Sequence, residues 1–171
     1  MASESLTTGE SPAAVQIASL YDAHALGLIR LAYLMLGSQA TAEDVVQDAF
    51  CGLYRRWPHI ADQGKALLYV RSSVINGCRS ELRRRKFRPE RFHEPAGVSA
   101  EDSALANEDR KRAILALSAL PNRQRQVLVL RFYLDFSDAQ IARALGIGES
   151  TVRSTAHRAL TALGRTLGRT P

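Results

Sequence analysis

Six side chains near the C-terminal end, Ser150, Thr151, Arg153, Ser154, His157 and Arg158, have the types and spacing to hold DNA. Arginine bridges two acceptors on a guanine edge or grips a phosphate, and hydroxyls are short enough to bond either. They lie in the stretch "SDAQIARALGIGESTVRSTAHRAL", where Val152, Ala156, Ala159, Leu160 and Leu163 recur at helical spacing as the buried stripe. Upstream, Ser137 with Gln140 three residues on makes a capping-box pattern. Ile141, Ala142 and Leu145 give a short helix its inward face, and Gly146 suits a left-handed turn. Ile147 plugs the space between the helices, and a second helix starts near Glu149. This is helix-turn-helix chemistry, in which the second helix enters the major groove. An ordinary two-helix corner with solvated arginines accounts for each feature singly but not for their coincidence.

A second basic group sits in "YVRSSVINGCRSELRRRK", with Arg71, Asn76, Arg79, Arg83, Arg84, Arg85 and Lys86. The four-residue basic run can grip phosphates, Asn76 can bond a base edge, and Tyr69 and Trp57 can stack on unpaired bases. The competing readings are aromatics in a core and a solvated basic helix end favoured by the helix dipole. A third group is acidic. In "AEDVVQDAF", spacings of three and four put Asp44, Gln47 and Asp48 on one ridge opposite an apolar stripe. That ridge reads as a docking strip for a basic partner helix, or as a plain solvated face. A metal-dependent nuclease fits poorly, because no histidine or further acid is evidently paired with these carboxylates. No catalytic residue, metal ligand or cofactor is expected.

The elements that must position these groups are all helical. Apolar residues from Ala13 to Leu36 (Ile17, Leu20, Tyr21, Leu28, Leu31, Ala32, Met35) keep a helical period, and Gly37 can end the helix. A helix over Thr41 to Trp57 has the stripe Val45, Val46, Ala49, Phe50, Leu53, Tyr54 and Trp57 before Pro58. A third, over Lys65 to Lys86, faces Leu68, Val70, Val74, Ile75 and Leu82 inward. Periodicity fades from Phe87 to Asn107, where prolines, a glycine and clustered acids read as a linker. It resumes near Glu108, and Leu120-Pro121 precedes a helix over Asn122 to Tyr133 with Val127, Leu128 and Leu130. The expected fold is all-α, with two small helical domains joined by a flexible acidic linker. The expected bounds are a disordered tail over 1–12, a first domain over 13–90, a linker over 91–107 and a second domain over 108–171.

Charge follows the same division. The chain has 171 residues and a net charge of +6. Residues 59–92 carry nine basic and three acidic side chains, and residues 110–171 carry eleven and three. Between them, residues 93–109 have five acids and no base. Two basic blocks around an acidic spacer suggest two separate contacts with a polyanion. Nothing reads as a membrane span, and "MASESLTTGESP" has neither the basic start nor the apolar run of a signal peptide, so a cytoplasmic protein is expected. Cys51 and Cys78 lie far apart without a CxxC or a nearby histidine, the pattern of two small buried side chains in a reduced chain.

The stretches "AEDVVQDAF…LYRRW", "ALLYVRSSVINGCRSELRRRK", "ALPNRQRQVLVLRF" and "SDAQIARALGIGESTVRSTAHRAL" occur in the order of the two conserved regions of bacterial sigma factors. The chain resembles an extracytoplasmic-function (group 4) sigma factor of the sigma-70 family, of the small actinobacterial SigE-like type, over roughly residues 13–167. The resemblance implies a division of labour. The first domain resembles sigma region 2, with Asp44, Gln47 and Asp48 matching positions that dock on the β′ clamp helices of core RNA polymerase. Asn76 matches a position that holds a flipped-out base of the single-stranded −10 element, with the loop around His59 to Lys65. The second domain resembles region 4, which reads the duplex −35 element and rests on the β flap; Arg153, Ser154, His157 and Arg158 match DNA-contacting positions there. Anti-sigma factors are common partners in that family. Mounting both domains on polymerase would raise their effective concentration over the two elements. Two departures, Thr155 for a frequent basic residue and His157 for an apolar one, put the −35 sequence in doubt, and Gly148 replaces a frequent serine N-cap. The alternative is a stand-alone helix-turn-helix regulator acting as a dimer.

Overall fold

The structure is a computed structural model that describes residues 11–60, 62–87 and 104–168. The described residues form seven α-helices and two 3-10 turns, with no strand among them. The expected linker falls mostly outside the described residues, as do most of the N-terminal tail and the last three positions.

Helix α1 spans Pro12–Leu36. It starts on a proline, whose missing N–H would have no helical partner there, and stops at Gly37. That glycine takes the left-handed conformation at φ 73° and donates its N–H to Tyr33 O at 2.7 Å. Helix α2, Gln39–Arg56, begins two residues before the expected Thr41, because Ser38 is its cap and accepts from Thr41 N. After the 3-10 turns at Trp57–His59 and Gln63–Lys65, helix α3 runs Ala66–Phe87. Leu31, Met35, Val46, Leu53, Val70 and Val74 are fully buried where these three helices meet.

Helix α2 crosses α3 closely at Gly77. A Cβ there would lie 2.8 Å from Val45 Cγ1, and a β-branched valine is stiff about χ1. Gly77→Ala should therefore lower stability. Overpacking costs about 1–3 kcal/mol, which exceeds the ~1 kcal/mol that alanine gains over glycine in a helix. A lower urea midpoint at unchanged m-value is the expected readout.

The second lobe comprises α4 (Ala104–Ser118), α5 (Asn122–Tyr133), α6 (Asp138–Leu145) and α7 (Glu149–Thr166). α4 begins four residues before the expected Glu108. Its core holds Val127, Leu130, Ile141, Leu145, Val152 and Ala156. The lobes touch: α1 packs on α5 and α3 on α6. One apolar cluster runs through both.

Several expected positions differ. Leu68 is 58% exposed, and Tyr54 and Leu160 also face solvent, because each lies at the edge of its helix stripe. Tyr21 is exposed too, although its ring meets Phe50 edge-on at a centroid distance of 4.9 Å. Only one of the two cysteines is buried. Cys51 lies on the outer face of α2, whereas burial pushes the Cys78 thiol up to about 12, so it stays protonated and inert.

Candidate nucleic-acid and protein interfaces

The helix-turn-helix is assembled by local rules. Ser137 Oγ accepts from Gln140 N at 3.3 Å, and Gln140 Oε1 accepts from Ser137 N at 2.8 Å, completing the capping box. Gly146 turns left-handed at φ 65°, and Ile147 N donates back to Ala142 O at 3.0 Å. Gly148 caps α7 by backbone alone, with no side-chain bond. Val152, Ala156 and Ala159 anchor α7 on the lobe, and Ser150, Thr151, Arg153, Ser154, His157 and Arg158 are all exposed. All six candidates therefore share the open side of one helix. Ser154 Oγ donates to Thr151 O and Arg158 Nε to Ser154 O, so these two lie along the helix. Thr155 is buried beside Ala156 and does not belong to this surface.

Sequence reasoning missed a bridge at the base of α7. Asp138, in the first turn of α6, pairs through Oδ1 with Arg131 Nη2 of α5 and through Oδ2 with Arg153 Nη1 at 3.7 Å. Glu149 Oε2 lies 3.8 Å from the same Arg153 nitrogen.

The six candidate DNA-binding residues of α3 divide into three sets. Arg71, Asn76 and Arg79 line a cleft of about 330 Å³ that α6 closes from the other side with Gln140 and Arg143. Asn76 is exposed and Arg71 half-buried. Arg79 crosses the cleft: Nη1 donates to Ala144 O at 2.8 Å and Nη2 to Leu145 O at 3.1 Å. These are orphan carbonyls at the C-terminal end of α6, where a cation is favourable. Arg123 Nη1 reaches Leu145 O as well, at 3.3 Å. Arg83 and Arg84 face solvent, with Arg84 3.5 Å from Glu81.

Arg85 is the outlier in the basic run. Its side chain is only 18% exposed, Nη1 donates to Leu36 O at 2.7 Å and Nη2 to Thr41 Oγ1 at 3.2 Å, with Glu81 Oε1 3.5 Å from Nε. It ties the end of α1 to the start of α2. Across the lobe contact, burial and then the positive charge of Arg85 lower the pKa of Arg125, whose guanidinium is held by Ser118 O and Asn122 Oδ1.

On α2, Asp44, Gln47 and Asp48 are exposed and make no side-chain hydrogen bond or ion pair among the described residues. The ridge is thus an unneutralised acidic strip. Trp57 and Tyr69 are half-buried against the first lobe's core. Where α1 meets the second lobe, Leu34, Phe132, Leu160, Leu163 and Leu167 line an open apolar groove of about 300 Å³.

Two family models match in order: "Sigma-70 region 2" over residues 20–88 and "Sigma-70, region 4" over residues 110–163. The chain is 35% identical to the RNA polymerase sigma-E factor of Streptomyces avermitilis over 80% of this chain and 76% of that protein. This chain is a sigma-70 family factor. It is also 35% identical to the ECF RNA polymerase sigma factor SigL of Mycobacterium tuberculosis, with 87% of each chain covered. The sigma factor RpoE of Bartonella quintana, solved with the anti-sigma factor NepR, shares the fold at a TM-score of 0.68 and 22% identity, over 88% of this chain and 97% of that one. Because the first lobe of this sigma factor matches the family as well as the second, a stand-alone regulator is not favoured. Among its described residues no helix is long and apolar enough to cross a membrane.

Proposed function

We propose that this sigma factor binds core RNA polymerase, recognises a −35 and a −10 promoter element, and directs promoter melting at one class of start site in the cytoplasm. Asp44, Gln47 and Asp48 meet the β′ clamp helices. Arg71, Asn76 and Arg79 take single-stranded −10 DNA, with Arg83 and Arg84 on flanking phosphates. Ser150, Thr151, Arg153, Ser154, His157 and Arg158 enter the major groove of the −35 duplex, and the apolar groove beside Leu160 and Phe132 rests on the β flap. The bond-forming chemistry belongs to the polymerase, so the chain itself is not an enzyme. An anti-sigma factor, like the one crystallised with the Bartonella relative, is a fitting restraint.

The observation that carries this reading is the separation of signs. An unneutralised acidic ridge on α2 and an exposed basic face on α7 occupy different helices of different lobes, as one protein contact and one duplex contact require. Flipping a base out costs a few kcal/mol, which the contacts of the α3 cleft must offset. Reconstituted transcription with core enzyme and genomic DNA tests the reading. A new transcript set is expected on adding the protein, and identical sets with and without it would overturn the proposal.

A further inference from the structure

We infer that Asp138 is a positioning residue that makes Arg153 read a base rather than grip a phosphate. The inference rests on the assignment of α7 to duplex DNA. It starts from the two-sided carboxylate: Oδ1 is taken by Arg131 of α5 and Oδ2 faces Arg153 Nη1. Asp138 and Arg131 are each 26% exposed, whereas the Arg153 side chain is 61% exposed. The carboxylate is therefore the fixed partner and the arginine the mobile one. Its place in the first turn of α6 favours the negative charge further. Glu149 also approaches Nη1, but it is itself half in solvent and has no second anchor, so it adds little direction.

The geometry leaves a particular edge free. Nη1 faces two carboxylates, while Arg153 Nε and Nη2 have no partner among the described residues. Two parallel donors are what the O6 and N7 acceptors of guanine take in the major groove. A phosphate accepts the same fork, but phosphates line both strands and can be met from many directions, so a long unrestrained arginine would swing to whichever is nearest. Restraining it before DNA arrives reduces the ordering cost of the base contact. A carboxylate close to the backbone also disfavours contacts that lack the compensating base pair, which raises discrimination rather than affinity.

The test is selection of −35 sequences from a randomised duplex library by reconstituted holoenzyme, using the wild-type chain, D138N, D138E, R153A and the D138N/R153A double variant. Binding to a scrambled duplex and thermal melting are measured alongside. Wild type should enrich guanine at one position, and R153A should lose that enrichment. D138N should weaken it about threefold to tenfold at that position only, raise scrambled-duplex binding a few-fold, and steepen its salt dependence by up to about one counterion. D138E should restore part of the preference. In the R153A background, D138N should change nothing at that position. A D138N profile that matches wild type, or flattens every position equally with a fallen melting temperature, overturns the inference while the promoter-reading assignment of Arg153 stands. An R153A profile that matches wild type removes that assignment, and the inference with it.

Discussion

Arg85→Met should destabilise the first lobe by about 3 kcal/mol, the lower end of what removing one partner of a buried ion pair costs. Glu81 is 10% exposed at its side chain, and without Arg85 its remaining cation among the described residues is Arg84, which is 76% exposed. The carbonyl of Leu36 at the end of α1 also loses its donor. For a lobe of this size such a loss lowers the melting temperature by roughly 12–24 °C. Arg83→Ala and Arg84→Ala, on exposed side chains, should each shift it by no more than about 2–4 °C. Calorimetry of the three variants separates the structural arginine from its neighbours. A full-strength melting transition for Arg85→Met, with weakened DNA binding instead, would return Arg85 to the phosphate-gripping group.

Reversing Asp44 and Asp48 to lysine should reduce affinity for core polymerase by at least ~30-fold, since disrupting a desolvated interfacial charge pair costs about 2–5 kcal/mol. The melting temperature should stay within a few degrees of wild type, because neither carboxylate has a partner to lose among the described residues. Binding of −35 duplex by the free chain should be unaffected as well. Fluorescence titration against core enzyme is the measurement. Unchanged affinity would mean that the acidic ridge is only a solvated helix face.

What was legible in the sequence is what depends on near neighbours. The capping box at Ser137, the left-handed turns at Gly37 and Gly146, and the apolar stripes of α1 and α2 all rest on contacts within about one helical turn. The exposed face of α7 followed from the same periodicity. Arg79 and Arg85 were not legible, because their acceptors lie 65, 66 and 49 residues away. A hint was available for Arg85. Four consecutive basic residues fan through about a full turn of a helix, so one must point inward, and Glu81 stands four residues before Arg85. Thr155, three residues after buried Val152 and next to Ala156, carried a similar hint of burial. The bridge from Asp138 to Arg153 joins two helices across the turn, a juxtaposition that no single-helix period encodes.

The clasp of Arg79 on the end of α6 has a thermodynamic corollary. Promoter elements centred ~25 base pairs apart span roughly 85 Å at 3.4 Å per step, whereas a packed chain of this length is only about 40 Å across. Both elements cannot be gripped while the guanidinium still sits on Ala144 and Leu145. With Arg79 in its proposed role on the −10 strand, docking of that strand and parting of the lobes draw on the same pair of N–H groups. Whatever favours one must favour the other by an equal factor. A scaffold that spreads the lobes would thereby prime the melted-strand cleft without touching it.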